Sequence, residues 1–396
     1  MKYIVIIPDG MADYPCKDLF GKTPLQVAKT PNMDALSKQG EVGLVRTIPR
    51  NMEPASDIAN LSILGYDPHK YYKGRGPLEA VNLEVKLDAD DIAFRCNLIT
   101  AEKDSDRLID YSAGHISTAE AKILISKLDE KLGNEFIKFY CGVSYRHLMV
   151  VKKNRRILSA KTIPPHNIIQ EGLSENLPLG EGAEILKDLM EKSWSILKEE
   201  EVNMVRIDLG ENPANMIWLW GQGTRIELPL FKEQFGISGA VISAVDLIKG
   251  IGKAVELEVV KVEGATGYYD TNYAGKGENA IAVLKDKDFV YVHIESPDEA
   301  GHNGDIRQKI KAIEEIDYFI VGKVREYLKS NSARVLLLPD HFTPAELRRH
   351  CSDMVPFFIS GEGISPDEAD LFSESSASKS KLQIKEGWKL MEHFLR

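Results

Sequence analysis

Phe289-Val290-Tyr291-Val292-His293-Ile294-Glu295-Ser296-Pro297-Asp298-Glu299-Ala300-Gly301-His302 is the stretch whose reading decides the fold. Its first six residues carry bulky side chains on both faces, which fits an interior strand of a parallel sheet covered on both sides. Immediately after it, Asp298 and His302 stand four apart, so one helical turn or a tight loop points them the same way. Further on, Ile310, Ile313, Ile316, Ile320 and Val324 recur at spacings of three and four, which predicts a helix from about Ile306 to Leu328. A second buried strand, Arg334 to Leu338, follows it. Strand, helix and strand in that order read as a right-handed βαβ unit.

Working outward, Tyr3 to Ile7 reads as another buried strand, and Pro31 to Gln39 as a helix. Thr30 suits the N-cap of that helix, Pro31 its first position and Gly40 a left-handed end. Pro356 to Ile359 reads as a fourth short strand, Ser373 to Ser380 as a surface loop, and Ile384, Trp388, Met391 and Phe394 as the apolar face of a last helix. The middle has a different texture: a helix near Thr118–Leu132, strands near Phe136–Tyr140 and His147–Val151, and a helix near Ala183–Glu200. The expected class is α/β, a mostly parallel sheet flanked by helices with a smaller inserted α+β domain. Residues 1–86 and 206–396 form the first domain in this reading and 87–205 the insert, the chain returning to the parallel sheet with Met216–Trp220.

Composition limits the function. A net charge of −10 across 396 residues offers no general basic face for nucleic acid. No apolar run is long enough for a signal peptide or a membrane span. Cys16, Cys96, Cys141 and Cys351 lie far apart without a Cys-x-x-Cys pair, which argues for free thiols in a reducing cytoplasm.

Chemistry gathers at strand ends. Asp9 follows the first strand, Asp298 and His302 the Phe289–Ile294 strand, and Asp340-His341 the Arg334–Leu338 strand, with His350 nine residues later. Ligands of open α/β sheets bind outside the carboxyl ends of the strands. Six nitrogen and oxygen donors are too many for one catalytic ion with open positions, and suit two. Mixed imidazole and carboxylate favours Mn²⁺ or Zn²⁺, whereas Mg²⁺ usually avoids His. Ser56 opens an apparent helix at Pro54-Ala55-Ser56-Asp57-Ile58-Ala59-Asn60-Leu61. On local grounds it reads as an N-cap. Beside a metal pair it reads as a nucleophile.

With these residues in view, the chain resembles the archaeal-type cofactor-independent phosphoglycerate mutases of the alkaline phosphatase superfamily. The resemblance runs through Pro8-Asp9-Gly10-Met11, Gly21-Lys22-Thr23-Pro24-Leu25, the Ser56 to Pro68 segment, Tyr72-Lys73-Gly74-Arg75-Gly76-Pro77, Gly264-Ala265-Thr266-Gly267, Pro297-Asp298-Glu299-Ala300-Gly301-His302 and Asp340-His341. It implies a glycolytic and gluconeogenic isomerase that interconverts 3- and 2-phosphoglycerate through phosphoserine at Ser56, without 2,3-bisphosphoglycerate. It also implies Asp298, His302 and His350 on one ion, and Asp9, Ser56, Asp340 and His341 on the other. A small phosphorylated substrate needs cations and a proton carrier. The resemblance offers His115 as acid/base, while Arg75, Arg146 and Lys276 read as substrate contacts or as solvated surface; His147 reads as structural. The segment Tyr111-Ser112-Ala113-Gly114-His115-Ile116-Ser117-Thr118 is similar to a bacterial subgroup proposed to contain homoserine kinases, so homoserine is the alternative acceptor. There is no Gly-x-x-x-x-Gly-Lys-Ser/Thr loop for a nucleotide.

Overall fold

A computed structural model describes residues 1–367 and 371–396. The chain divides into two compact units, Met1–Tyr72 with Leu228–Arg396, and Lys73–Glu227. Among the described residues no helix is long and apolar enough to cross a membrane.

The first unit is built on eight strands in the order Gln383–Ile384, Gly40–Val45, Val355–Gly361, Ala333–Leu337, Lys2–Pro8, Phe289–Ile294, Gly239–Ile242 and Glu258–Val260. All neighbours are parallel except at Val355–Gly361, which runs antiparallel to the strands on both sides. Ile4 to Ile7, Val290 to Val292 and Val335 to Leu337 have no exposed surface, as interior strands covered on both faces must. Because Lys2–Pro8 lies between Phe289–Ile294 and Ala333–Leu337, Asp9, Asp298 and Asp340 leave the same edge from neighbouring strands.

The long helix expected between the last two of these strands is interrupted. Ile306–Ile316 and Gly322–Leu328 are α-helical, and Asp317–Val321 forms a wider π turn. Such insertions sit where a side chain has another task. Asp317 accepts hydrogen bonds from the backbone N–H of Asn32 at 3.1 Å and of Met33 at 2.7 Å. Those are first-turn donors of helix Pro31–Ser37, so the cap comes from Asp317 and not from Thr30, whose side chain makes no cap bond. Gly40 is also not a left-handed terminator. It opens a strand, where a Cβ would strike the Ile359 carbonyl.

The serine-rich stretch is helix Glu374–Lys379, with Ser373 accepting from Ser376 N, rather than a loop. The final apolar spacing is shared between strand Gln383–Ile384 and the short helix Leu390–Leu395.

The second unit is an antiparallel sheet centred on Ile92–Glu102, which pairs with Arg107–Asp110, Arg146–Val151 and Met216–Gly223; Ile137–Val143 extends it beyond Arg146–Val151. Helices Thr118–Leu132 and Ala183–Leu197 pack their buried leucines into its core. The edges therefore fall at Lys73 and Glu227 rather than at 87 and 205. Met216–Gly223 completes this sheet instead of returning to the parallel one, and helix Arg75–Asn82 packs on the same strands.

Replacing Asp317 with Ala strips the first turn of helix Pro31–Ser37 of its acceptor. We expect about 1–2 kcal/mol of lost stability, read as a lower urea midpoint at unchanged slope for the transition of the first unit.

Candidate active site

Each acidic residue at the sheet edge is positioned by its own local device. Asp9 is anchored by its backbone N–H, which donates to Ile294 O at 2.9 Å. Gly10 follows with φ +59, and a Cβ there would lie 2.5 Å from both Asp298 Oδ1 and Thr343 Oγ1, so only glycine permits this approach. Asp298 sits in the first turn of helix Ser296–Asn303, which Gly304 closes in the left-handed conformation; His302, one turn later, shares its face. His350 returns through a bridge in which Cys351 N donates to Phe342 O at 2.9 Å. Its ring then stacks on His341 with centroids 3.9 Å apart.

The structure brings seven of the expected residues together. His302 Nε2 and His350 Nε2 face each other at 2.8 Å, and each lies 3.3 Å from an oxygen of Asp298. His341 Nε2 lies 3.4 Å from Asp340 Oδ2, 3.5 Å from Asp9 Oδ1 and 3.0 Å from Ser56 Oγ. Asp9, Asp340 and His341 have one donor atom each within 4.8 Å of one another, as do Asp298, His341 and His350. Ser56 is not an N-cap. Ala55 holds that position, Ser56 is the first helical residue, and its hydroxyl makes no cap bond.

Electrostatics separates the carboxylates. Burial and the neighbouring Asp340 charge push the Asp9 carboxyl well above its usual range, and neither of its oxygens has a hydrogen-bond partner. Burial raises Asp298 too, but His302 and His350 outweigh it and hold the group well below. His302 shows the converse: burial disfavours its charge, yet Asp298 draws it up to about 9. His341 is pushed down to about 4, chiefly by burial. Converging imidazole nitrogens, orphaned buried carboxylate oxygens and a stacked His pair are a donor set for divalent cations.

Several contributors were not read from the sequence. Asn60 donates to Ser56 O and to Asp340 Oδ2, both at 2.8 Å, while its own oxygen accepts from Tyr291 OH at 2.5 Å. Thr343 donates to Asp298 Oδ1 at 2.5 Å. Asn60 stands one turn after Ser56 and Thr343 two residues after His341, so their spacing was the available signal.

Arg75, Arg146 and His115 belong to the second unit. There the Arg75 and Arg95 guanidinium carbons lie 5.4 and 5.8 Å from the Trp220 ring, and Arg146 lies 4.7 Å from that of Tyr145. Arg95 is buried beside Glu79, and burial lowers it to about 10. Arg75 Nε and Arg95 Nε have no hydrogen-bond partner. His115 is exposed and left-handed with φ +52, after Ala113 at +49 and Gly114 at +66; the Asp110 carboxylate braces the turn from Ser112 N and Gly114 N, each at 2.7 Å. Lys276 is not a surface contact. It is fully buried in helix Tyr273–Val283, and its ammonium donates to His293 O at 3.1 Å, so a ligand at the surface cannot reach it.

Comparison with known proteins follows this geometry. Residues 37–203 match a family model described as 2,3-bisphosphoglycerate-independent phosphoglycerate mutase. A Methanothermobacter thermautotrophicus protein named 2,3-bisphosphoglycerate-independent phosphoglycerate mutase 2 is 49% identical, over 99% of this chain and 96% of its own. A Geobacter sulfurreducens protein, named as a probable enzyme of the same kind, is 47% identical over 100% of both. The solved structure of a Pyrococcus horikoshii protein aligns with TM-score 0.81 at 32% identity, covering 100% of this chain and 96% of that one. A solved cofactor-independent phosphoglycerate mutase from Thermoplasma acidophilum aligns with TM-score 0.64 at 28% identity, covering 100% and 99%.

A cation reaching His302 must displace its proton. Since that group titrates near 9, Mn²⁺ affinity should rise with pH between 6 and 9, by up to about tenfold per unit for one displaced proton. Calorimetric titration across that range checks this, and a pH-independent affinity would count against His302 as a ligand.

Proposed function

The chain belongs to the 2,3-bisphosphoglycerate-independent phosphoglycerate mutases, and from that membership we infer that it moves a phosphoryl group between the 3- and 2-hydroxyls of glycerate. Nothing in the relatives' names favours homoserine as acceptor.

We assign Ser56 as the nucleophile. The observation that carries this assignment is the convergence of Ser56 Oγ on His341 Nε2 at 3.0 Å, with no bond spent on its own helix. That separation is the spacing of two neighbouring ligands on one ion. Asp9, Ser56, Asp340 and His341 would hold one divalent cation, and Asp298, His302 and His350 a second, with Mn²⁺ the expected ion and Zn²⁺ or Mg²⁺ the alternatives. Such ions neutralise phosphoryl oxygens and lower the pKa of a serine hydroxyl.

In the proposed sequence Ser56, already ionised, attacks phosphorus in line through its Oγ alkoxide and leaves as the alkoxide at the end, and in the first half the bond from phosphorus to the 3-oxygen of glycerate breaks. The departing alkoxide takes a proton. Glycerate turns, its 2-hydroxyl gives up a proton and attacks the phosphoserine, and Ser56 is released. One residue that alternates between giving and taking the proton balances both halves, and His115 is our candidate. Its support is the braced left-handed turn, a conformation that costs free energy and tends to persist where a side chain has work to do. Arg75 and Arg146 are proposed to bind the anionic groups of the substrate. Their support is a concentration of guanidinium groups around Trp220 and Tyr145, with Arg75 Nε buried and without a hydrogen-bond partner.

Ser56→Ala is expected to lower kcat for 3-phosphoglycerate by at least about 10³-fold while Mn²⁺ still binds. An enolase-coupled assay measures the rate, and acid quenching of wild type with phosphate-labelled substrate should trap label on Ser56. Turnover near wild type in the variant would remove Ser56 from the mechanism.

A further inference from the structure

Thr343 stands two residues after His341, has no exposed surface, and spends every polar group it owns. Its backbone N–H donates to Ala12 O at 3.2 Å, and its carbonyl accepts from the Lys309 ammonium at 2.8 Å. Its hydroxyl donates to Asp298 Oδ1 at 2.5 Å and lies 3.1 Å from His341 Nδ1. Two glycines make room for it. A Cβ at Gly10 would lie 2.5 Å from Thr343 Oγ1, and one at Gly301 would lie 2.3 Å from the Thr343 carbonyl oxygen.

A threonine hydroxyl has one proton to give. The 2.5 Å separation is that of a hydroxyl donating to a carboxylate, so the proton goes to Asp298. Toward His341 the oxygen then only accepts, which puts the imidazole proton on Nδ1. Nε2 keeps its lone pair, with Ser56 Oγ 3.0 Å away and oxygens of Asp340 and Asp9 at 3.4 and 3.5 Å. The hydrogen bonds thus run one way, from His341 through Thr343 to Asp298. Those two residues fall in different ligand sets, and one hydroxyl meets both.

We propose that Thr343 is a positioning residue for both cation sites. Its hydroxyl fixes the Asp298 carboxylate in one set, and the ring orientation and tautomer of His341 in the other. This rests on the two-cation reading of the preceding section. A metal-ligating histidine ordinarily donates its second ring N–H to a fixed acceptor, and that bond decides which nitrogen is free to bind. Here the acceptor is itself locked, because Ala12 and Lys309 hold the Thr343 backbone at its N–H and its carbonyl. A threonine that only filled space would have no need of its hydroxyl.

The test uses the full-length chain and Mn²⁺. Thr343→Val keeps the branched shape and removes the hydroxyl. By calorimetry it should weaken both ions by about 10–100-fold, while Thr343→Ser should bind close to wild type. Wild-type affinity in Thr343→Val would overturn the proposal, and an effect on one ion alone would overturn the shared role. Equal losses in the two variants would assign Thr343 to packing and overturn the part played by its hydroxyl. A measurement on wild type covers variants that do not fold. After EDTA treatment, nitrogen NMR should show the His341 ring proton on Nδ1, the resonance being assigned by its loss in His341→Gln; a proton on Nε2 would overturn the assignment. Wild type that takes up no Mn²⁺ would sink the cation reading, whereas the tautomer decides separately whether Thr343 sets His341.

Discussion

Asp9, Asp298 and Asp340 are buried together at the end of one sheet, and everything around them answers the electrostatic problem this creates. Moving a carboxylate out of water costs several kcal/mol even after relaxation, so each needs fixed donors or a cation. Asp340 accepts from Gly10 N at 3.1 Å, His341 N at 2.9 Å and Asn60 Nδ2 at 2.8 Å. Asp298 has Thr343 and two histidines. Asp9 has no hydrogen bond to either oxygen, and its carboxyl is pushed up accordingly. The fold therefore supplies fixed donors to two of the three acids and leaves the third without one.

A fixed donor set also needs fixed loops. Lys309 supplies that from the buried side of helix Ile306–Ile316. Its ammonium, without exposed surface, donates to Ala12 O at 3.3 Å, Thr343 O at 2.8 Å and Asp13 Oδ2 at 2.8 Å. Asp13 in turn accepts from Ala345 N at 3.1 Å. One side chain thus joins the loop after Asp9 to the loop after His341. Removing one partner of such a pair typically costs about 3–5 kcal/mol because the other is left buried and charged. Ligand geometry that must hold to about half an ångström gains its rigidity from this second layer.

The strand ends were legible because burial on both faces writes a continuous apolar run, and a polar residue just beyond such a run stands out. That logic found Asp9, Asp298 and Asp340. It failed where pairing is non-local. Met216–Gly223 is as apolar as a parallel strand, and only its partner Ile92–Glu102 assigns it to the second sheet. Thr30 suited a cap locally, yet Asp317, 284 residues beyond Met33, makes the bonds. Lys276 read as a substrate contact or as solvated surface because nothing local reveals that its ammonium is buried against the His293 carbonyl. The burial of Lys309 does leave a trace in the sequence: it falls between Ile306 and Ile313 on the apolar stripe of its helix.

Ser56 shows why chemistry was more legible than architecture. A serine opening a helix has an ordinary local explanation, and local sequence cannot reject it. What rejects it is Asn60, one turn on, which bonds both Ser56 O and the carboxylate of Asp340 and has its own oxygen held by Tyr291. The helix is thereby tied to the loop of Asp340 and His341 at its first turn, and the hydroxyl faces His341 instead of its own backbone. An N-capping serine spends its oxygen on its own helix, whereas the Ser56 hydroxyl meets His341 instead. Asn60 fixes the distance from Ser56 to Asp340 within the fold itself.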